Sequence, residues 1–164
     1  MIEAHSPLWY AVSQVGASEL PGNRGIPFER YSLPGEEPLA YCARFLRWCF
    51  TQAGTPLPGQ RYLIGSVVAL HEALRAAGAL LPLEGRPEPG DLIFLRHRGK
   101  SDPQVGGHHV GIVELVTDKT VESVDANWGD MVQRVARRRG SPEIWVCPMA
   151  TAPDGVTWLR RRIL

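Results

Sequence analysis

Four residues in this chain have the types and order that nucleophilic cysteine chemistry needs: Cys42, His109, Asp125 and Asn127. A thiolate attacks a carbonyl carbon, an imidazole handles the proton, and an acceptor on the second ring nitrogen fixes the imidazole's tautomer and orientation. Cys42 is the candidate nucleophile and His109 the candidate base. Either Asp125 or Asn127 can serve as the orienting acceptor, and the residue types alone leave that choice open. Cys42 stands at the start of an apolar stretch, Tyr41-Cys42-Ala43-Arg44-Phe45-Leu46-Arg47-Trp48-Cys49-Phe50. Pro34, Gly35 and Pro38 break the chain before this stretch, and Gly54 with Pro56 closes it, so the spacing predicts a helix. In the first turn of a helix, unpaired backbone N–H groups and the positive end of the dipole favour thiolate over thiol. Cys49, one heptad later on nearly the same face, lacks that field and reads as core packing.

These residues need elements to bring them together. Leu8, Ala11, Val12 and Val15 share one face of a short N-terminal helix, with Pro7 in its first turn and Gly16 near its end. Residues 16–38 hold four glycines and four prolines, and 19–25 reads as an ordered turn, in which Glu19 and Asn23 are candidates for bracing a site. The Cys42 helix is expected to be buried and central, with Arg44, Arg47 and Gln52 marking solvent. A third helix spans residues 65–78, capped by Ser66, with Val67, Leu70, Leu74 and Ala77 on one stripe and His71 at the surface or an edge. After Pro87-Glu88-Pro89-Gly90 the pattern changes to strands, at 91–96, 108–116, 120–127, 131–136 and 143–149. The segment 97–107 is polar and glycine-bearing and is expected to border a cleft, and 156–164 adds a strand or caps the sheet.

Register connects the pattern to the chemistry. If Thr117-Asp118-Lys119 is a three-residue hairpin loop, Val116 faces Thr120, Gly111 faces Asp125 and His109 faces Asn127. His109, Asp125 and Asn127 then share one face of the sheet, with room above Gly111. A two-residue loop would put His109 on the other face from both polar candidates.

The 164 residues read as one domain, with a core at about 8–149 and a C-terminal extension at 150–164. A formal net charge of +1 gives no overall reason to expect nucleic acid as a partner. The triplets Arg137-Arg138-Arg139 and Arg160-Arg161-Arg162 read as solvated faces. The three cysteines fit neither a disulfide framework nor a zinc ribbon, so at least one thiol is free. Neither a secretory signal nor a membrane-spanning run is apparent, so the expected course is synthesis in the cytoplasm, with lysis or injection needed for any action outside it.

Four segments occur in the order found in CHAP domains, the cysteine, histidine-dependent amidohydrolase/peptidases of the wider NlpC/P60 and papain-like group. They are Tyr41-Cys42-Ala43-Arg44-Phe45, Pro89-Gly90-Asp91-Leu92-Ile93-Phe94, Gly107-His108-His109-Val110-Gly111-Ile112-Val113-Glu114 and Asp125-Ala126-Asn127-Trp128-Gly129-Asp130. Residues 12–31, with Gly16, Glu19, Pro21, Gly22 and Asn23, also resemble the leader of bacterial and phage proteins that carry this domain. The resemblance implies an α+β, papain-like/NlpC-P60-like fold, with N-terminal helices, including a central cysteine-bearing helix, packed on an antiparallel sheet of about five strands. It implies cleavage of amide bonds in peptidoglycan through a thioester, with Cys42 as nucleophile, His109 as base and then acid, and Asp125 and Asn127 as the polar members. Tyr41 and Trp128 are expected at the substrate cleft, Tyr41 standing where many relatives have tryptophan, and His108 points away. The backbone N–H of Cys42 is the candidate oxyanion donor, with Tyr41 or the early loop assisting. Some phage relatives bind calcium through aspartates before the cysteine; only Glu36 and Glu37 stand in that region here, so neither metal nor other cofactor is expected.

The reading that follows is a peptidoglycan hydrolase, either an N-acetylmuramoyl-L-alanine amidase or a peptide endopeptidase, as a phage lysin or as a secreted antibacterial effector with an immunity protein or delivery apparatus as partner. The alternatives are an amidase or deamidase with a cytoplasmic substrate, and an idle wall-binding or structural module.

Overall fold

In the computed structural model, the described residues are 2–21, 24–37, 40–57, 66–76, 87–95, 109–139 and 144–147. The loop expected at 97–107, together with Asn23, Ala77, His108, Arg160-Arg161-Arg162 and the segment 156–164, lies outside them.

Four helices precede five strands: α1 (Pro7–Ser13), α2 (Ile26–Tyr31), α3 (Cys42–Gln52), α4 (Val67–Ala76), β1 (Leu92–Leu95), β2 (His109–Val116), β3 (Thr120–Asp125), β4 (Gln133–Arg138) and β5 (Ile144–Cys147). The strands form one antiparallel sheet in the order β4-β3-β2-β1-β5. Segregated helices and an antiparallel sheet make this an α+β architecture. α1 begins on Ser6, whose hydroxyl accepts from Trp9 N–H at 3.1 Å, followed by Pro7. α2 follows the turn read at 19–25, and Pro27 in its first turn is compatible with a helix start.

α3 lies at the centre of the core. Its Phe45, Leu46, Cys49 and Phe50 are fully buried with Leu8, Ala11, Tyr31, Leu70 and Leu74, against the sheet face formed by Leu92, Phe94, Val110, Ile112 and Val124. Burial of each large apolar side chain here contributes about 1.5–3 kcal/mol. The alternate strand positions Ile93, Leu95, Val113 and Val121 form a second apolar cluster on the opposite face. His109, Ser123 and Asp125 belong to that second face, since their register partners or period-two neighbours do.

Two expectations from the helices are corrected. Arg44 and Arg47 do not mark solvent: they are 1% and 3% exposed. Arg47 forks onto Glu36 at 2.7 and 2.5 Å and donates to Tyr31 O, while Arg44 donates to Glu37 O at 2.7 Å and Ser32 Oγ at 3.2 Å. A cation can lie inside when paired, and Ser32, Glu36 and Glu37 supply the partners. Burial opposes ionisation of Glu36, yet Arg47, the Leu33 N–H and Arg44 hold its carboxyl below the usual value. His71 is also buried, edge-on to Phe94 at 5.4 Å, and burial lowers its pKa. An imidazole placed among Val67, Leu70 and Leu74 on the inner side of α4 has apolar neighbours to pack on, which a surface assignment overlooked.

The β2–β3 hairpin reaches the expected alignment by another route. Thr117 N–H donates to Thr120 O at 2.9 Å across a turn formed by Asp118 and Lys119, and Val116 pairs with Val121 rather than Thr120. The turn is therefore the shorter one. A bulge between Val113 and Leu115 then shifts the ladder by one residue, so that Val113 faces Ser123 and Gly111 faces Asp125. The bulge restores His109 to the face of Asp125. The ladder ends at Gly111 and Asp125, so the expected pairing of His109 with Asn127 does not form.

Candidate functional site

Cys42 is the first residue of α3 and 2% exposed. Tyr41 precedes it at φ −111° and ψ 14° without a side-chain cap, and the first helical bond runs from Phe45 N–H to Tyr41 O at 2.8 Å. No side chain of Tyr41 therefore competes for the N–H groups of the first turn.

His109 opens β2 and meets Cys42 at the end of the sheet. Its Nε2 lies 2.8 Å from Asp125 Oδ2, and the Cys42 side chain also acts on the ring. Burial alone would lower the imidazole's pKa, but the hydrogen bonds and charges of Asp125 and Cys42 outweigh it and raise the value to about 9. Asp125 is fully buried. Burial would push its carboxyl up, yet His109 and Arg137 hold it below the ordinary value.

The Asp125 carboxylate is held on every side. Ser123 Oγ donates to Oδ1 at 2.6 Å, Arg137 Nη2 donates to Oδ2 at 2.5 Å, and Arg137 Nη1 donates to Ser123 Oγ at 2.6 Å. The Arg137 guanidinium also lies over the Trp128 ring, 4.8 Å from its centroid, and that ring stands 5.0 Å from the His109 imidazole at 64°. Trp128 is held through its carbonyl, which accepts from Gln133 Nε2, and is 36% exposed at the mouth of the site.

The remaining residues sit to one side. Asn127 leaves the strand at φ 59° and donates from Nδ2 to Glu19 Oε1 at 3.1 Å, so its amide is directed to the early loop. Tyr41, expected at the cleft, is fully buried; its phenol faces Glu19, Asp130 and the Asn127 backbone, which places it beneath the cleft surface. Burial and these carboxylates push the phenol above its usual pKa. Glu19 is raised by burial and by its hydrogen bond and repulsion with Asp130. A strap holds the two loops together: Gly16 N–H donates to Val132 O, Val132 N–H to Ala17 O and Glu19 N–H to Asp130 O, at 2.8 to 2.9 Å, around a Ser18–Met131 bridge.

The structure thus brings Cys42, His109, Asp125 and Trp128 together and sets Asn127 and Tyr41 behind them. The sequence reading missed Ser123 and Arg137. Ser123 carried a signal, since two positions from Asp125 on a strand is the same face. Arg137, in the triplet read as a solvated face, carried none without the β3–β4 register that aligns Asp125 with Gln133 and Val121 with Arg137. Among the described residues no group of three or more His, Cys, Asp and Glu could hold a metal ion. Among them, too, no helix is long and apolar enough to cross a membrane.

Comparisons with known proteins agree with this arrangement at the level of fold and family. The chain is similar in structure to NlpC1 from Trichomonas vaginalis (TM-score 0.50, 14% identity, covering 91% of this chain and 45% of that one). It also resembles RipD from Mycobacterium tuberculosis, described as a non-catalytic NlpC/p60 domain protein adapted to peptidoglycan binding (TM-score 0.46, 18% identity, covering 91% and 96%). No curated protein sequence matches the chain. The family model of the CHAP domain matches residues 34–127, more than half of the chain and the stretch that holds Cys42, His109 and Asp125, and the chain belongs to the CHAP domain family.

Proposed function

We propose that the chain hydrolyses an amide bond of peptidoglycan, with Cys42 as nucleophile and His109 as general base and acid. The observation that carries this reading is the imidazole bonded through Nε2 to the buried Asp125 carboxylate, with the Cys42 side chain also acting on the ring. An imidazole held in one orientation with a raised pKa keeps the proton taken from the thiol and has it ready for the leaving group.

The geometry supports the following sequence of steps. Cys42 sulfur attacks the carbonyl carbon, and the Cys42 N–H at the start of α3 donates to the oxyanion. Collapse breaks the C–N bond; the amine leaves with the proton from His109, and the acyl group stays on sulfur as a thioester. His109, now neutral, takes a proton from water, the hydroxide displaces sulfur, and the acid is released. Asp125 orients the ring throughout. Asn127 acts through Glu19 by holding the early loop, and Trp128 forms one wall of the substrate cleft. The bond cleaved is either the N-acetylmuramoyl-L-alanine amide or a bond within the stem peptide. The same chemistry serves a phage lysin or an injected effector.

Digestion of purified peptidoglycan by the wild type and by Cys42→Ala, with mass spectrometry of the released fragments, tests the reading. Release by the wild type alone supports it, and the fragment masses identify the bond. Retention of the wild type on sacculi without any release, across several wall chemistries, overturns it in favour of a wall-binding module.

A further inference from the structure

We propose that Arg137 is a positioning residue of this site: it holds the buried Asp125 carboxylate against His109 and, through its contact with Trp128, keeps the indole beside the imidazole. The proposal rests on the hydrolase reading and names the residue that tunes its imidazole.

The need for such a residue follows from the chemistry. In the proposed cycle His109 alternates between imidazolium and neutral imidazole, while Asp125 has no exposed surface. Whenever the ring is neutral, a buried carboxylate with only a hydroxyl beside it would be an uncompensated charge and would tend to take a proton itself. Arg137 removes that penalty, because a guanidinium remains charged at any working pH. Its fork reaches both parts of the cluster, with Nη2 on Asp125 Oδ2 at 2.5 Å and Nη1 on Ser123 Oγ at 2.6 Å and Asp125 Oδ1 at 3.4 Å.

Arg137 also competes with His109 for one oxygen. Asp125 Oδ2 accepts from Arg137 at 2.5 Å and faces His109 Nε2 at 2.8 Å. Sharing that oxygen limits how strongly the carboxylate holds the imidazolium proton, so the proton stays transferable to a leaving amine. Among the described residues, the groups facing His109 are Cys42 from α3, Asp125 from β3 and Trp128 from the loop after it; Leu95, its partner on β1, is apolar. Among them, too, Arg137 is the cation that acts on the ring through Asp125. The Trp128 indole takes the guanidinium over its ring and meets the imidazole at a steep angle, so loss of the cation also frees the indole beside the imidazole.

The test is a pH titration of the His109 ring by NMR in the full chain, which needs no substrate. In Arg137→Gln the His109 pKa rises by about one unit, because Asp125 loses its competing cation. On peptidoglycan kcat falls about tenfold with KM unchanged, and the basic limb of the rate profile moves up. Arg137→Lys, which keeps the charge without the fork, returns the titration toward wild type and covers the case in which the Gln variant does not fold. A folded Arg137→Gln whose His109 titrates as in the wild type overturns the proposal, even if its thermal stability has dropped. If the titration shifts as expected but the wild type releases nothing from any wall, the positioning role stands and the hydrolase reading alone fails.

Discussion

Gly111 lies directly across the sheet from Asp125, and a Cβ built on it would overlap the Asp125 carboxylate, lying 2.9 Å from Cγ and 3.1 Å from Val124 O. Only a residue without a side chain leaves Asp125 its place beside His109. Gly111→Ala is therefore expected to displace the carboxylate. Overpacking of this kind costs about 1–3 kcal/mol, or roughly 2–4 °C of Tm for each kcal/mol in a chain of this size. Peptidoglycan release should fall by more than tenfold, since the imidazole loses its orienting bond. Calorimetry and the digestion assay check the two effects separately, and a fully active, fully stable variant would contradict the contact.

The raised His109 pKa sets a stability window. The ring keeps its proton to about pH 9 when folded and releases it near 6.5 when unfolded. Between those values the folded chain binds more protons, so stability falls as pH rises from 6.5 to 9. His71, with its pKa lowered by burial, acts in the opposite sense, and its contribution is complete by pH 6.5. Stability should thus peak near pH 6.5. Urea midpoints at pH 6.5 and 9 are expected to differ in the wild type and to draw together in His109→Gln.

Glu36 is the carboxylate shared by two buried arginines, 2.5 Å from Arg47 and 3.6 Å from Arg44 Nε. Removal of one partner from a buried ion pair costs about 3–5 kcal/mol, so Glu36→Gln should lower the urea midpoint markedly. Glu37 is exposed and serves Arg44 through its backbone carbonyl, so Glu37→Gln is expected to stay within about 0.5 kcal/mol of the wild type. Equal losses in the two variants would show that the ion pairs do not anchor α3.

Much of the fold was legible in the sequence because its signals are local. Pro7 does not depend on distant residues to start α1, and the change at Pro87-Glu88-Pro89-Gly90 from helical to strand periodicity marks the sheet. What failed was non-local. The turn at Asp118-Lys119 is shorter than expected, and no residue type at Glu114 announces the bulge that compensates for it. Arg44 and Arg47 have the polarity of surface residues; Ser32, Glu36 and the Tyr31 and Glu37 carbonyls, which precede α3 in the chain, make their burial stable. Arg137 was unreadable for the same reason, since its partner lies on the neighbouring strand.

The strap between residues 16–19 and 130–132 gives the site a particular place in the chain's contact order. Asn127 and Glu19 are 108 positions apart, so the brace beside Cys42 closes one of the longest loops available to this polypeptide. Entropy penalises such a closure only logarithmically, about 0.6 kcal/mol for each doubling of length, but long-range contacts form late and slow the search. The family-matched stretch of 34–127 contains Cys42, His109 and Asp125 and neither half of the strap. A chain trimmed to that stretch would keep its reacting groups and lose the clasp that holds Asn127, so the ends of this domain are as much a part of its chemistry as its centre.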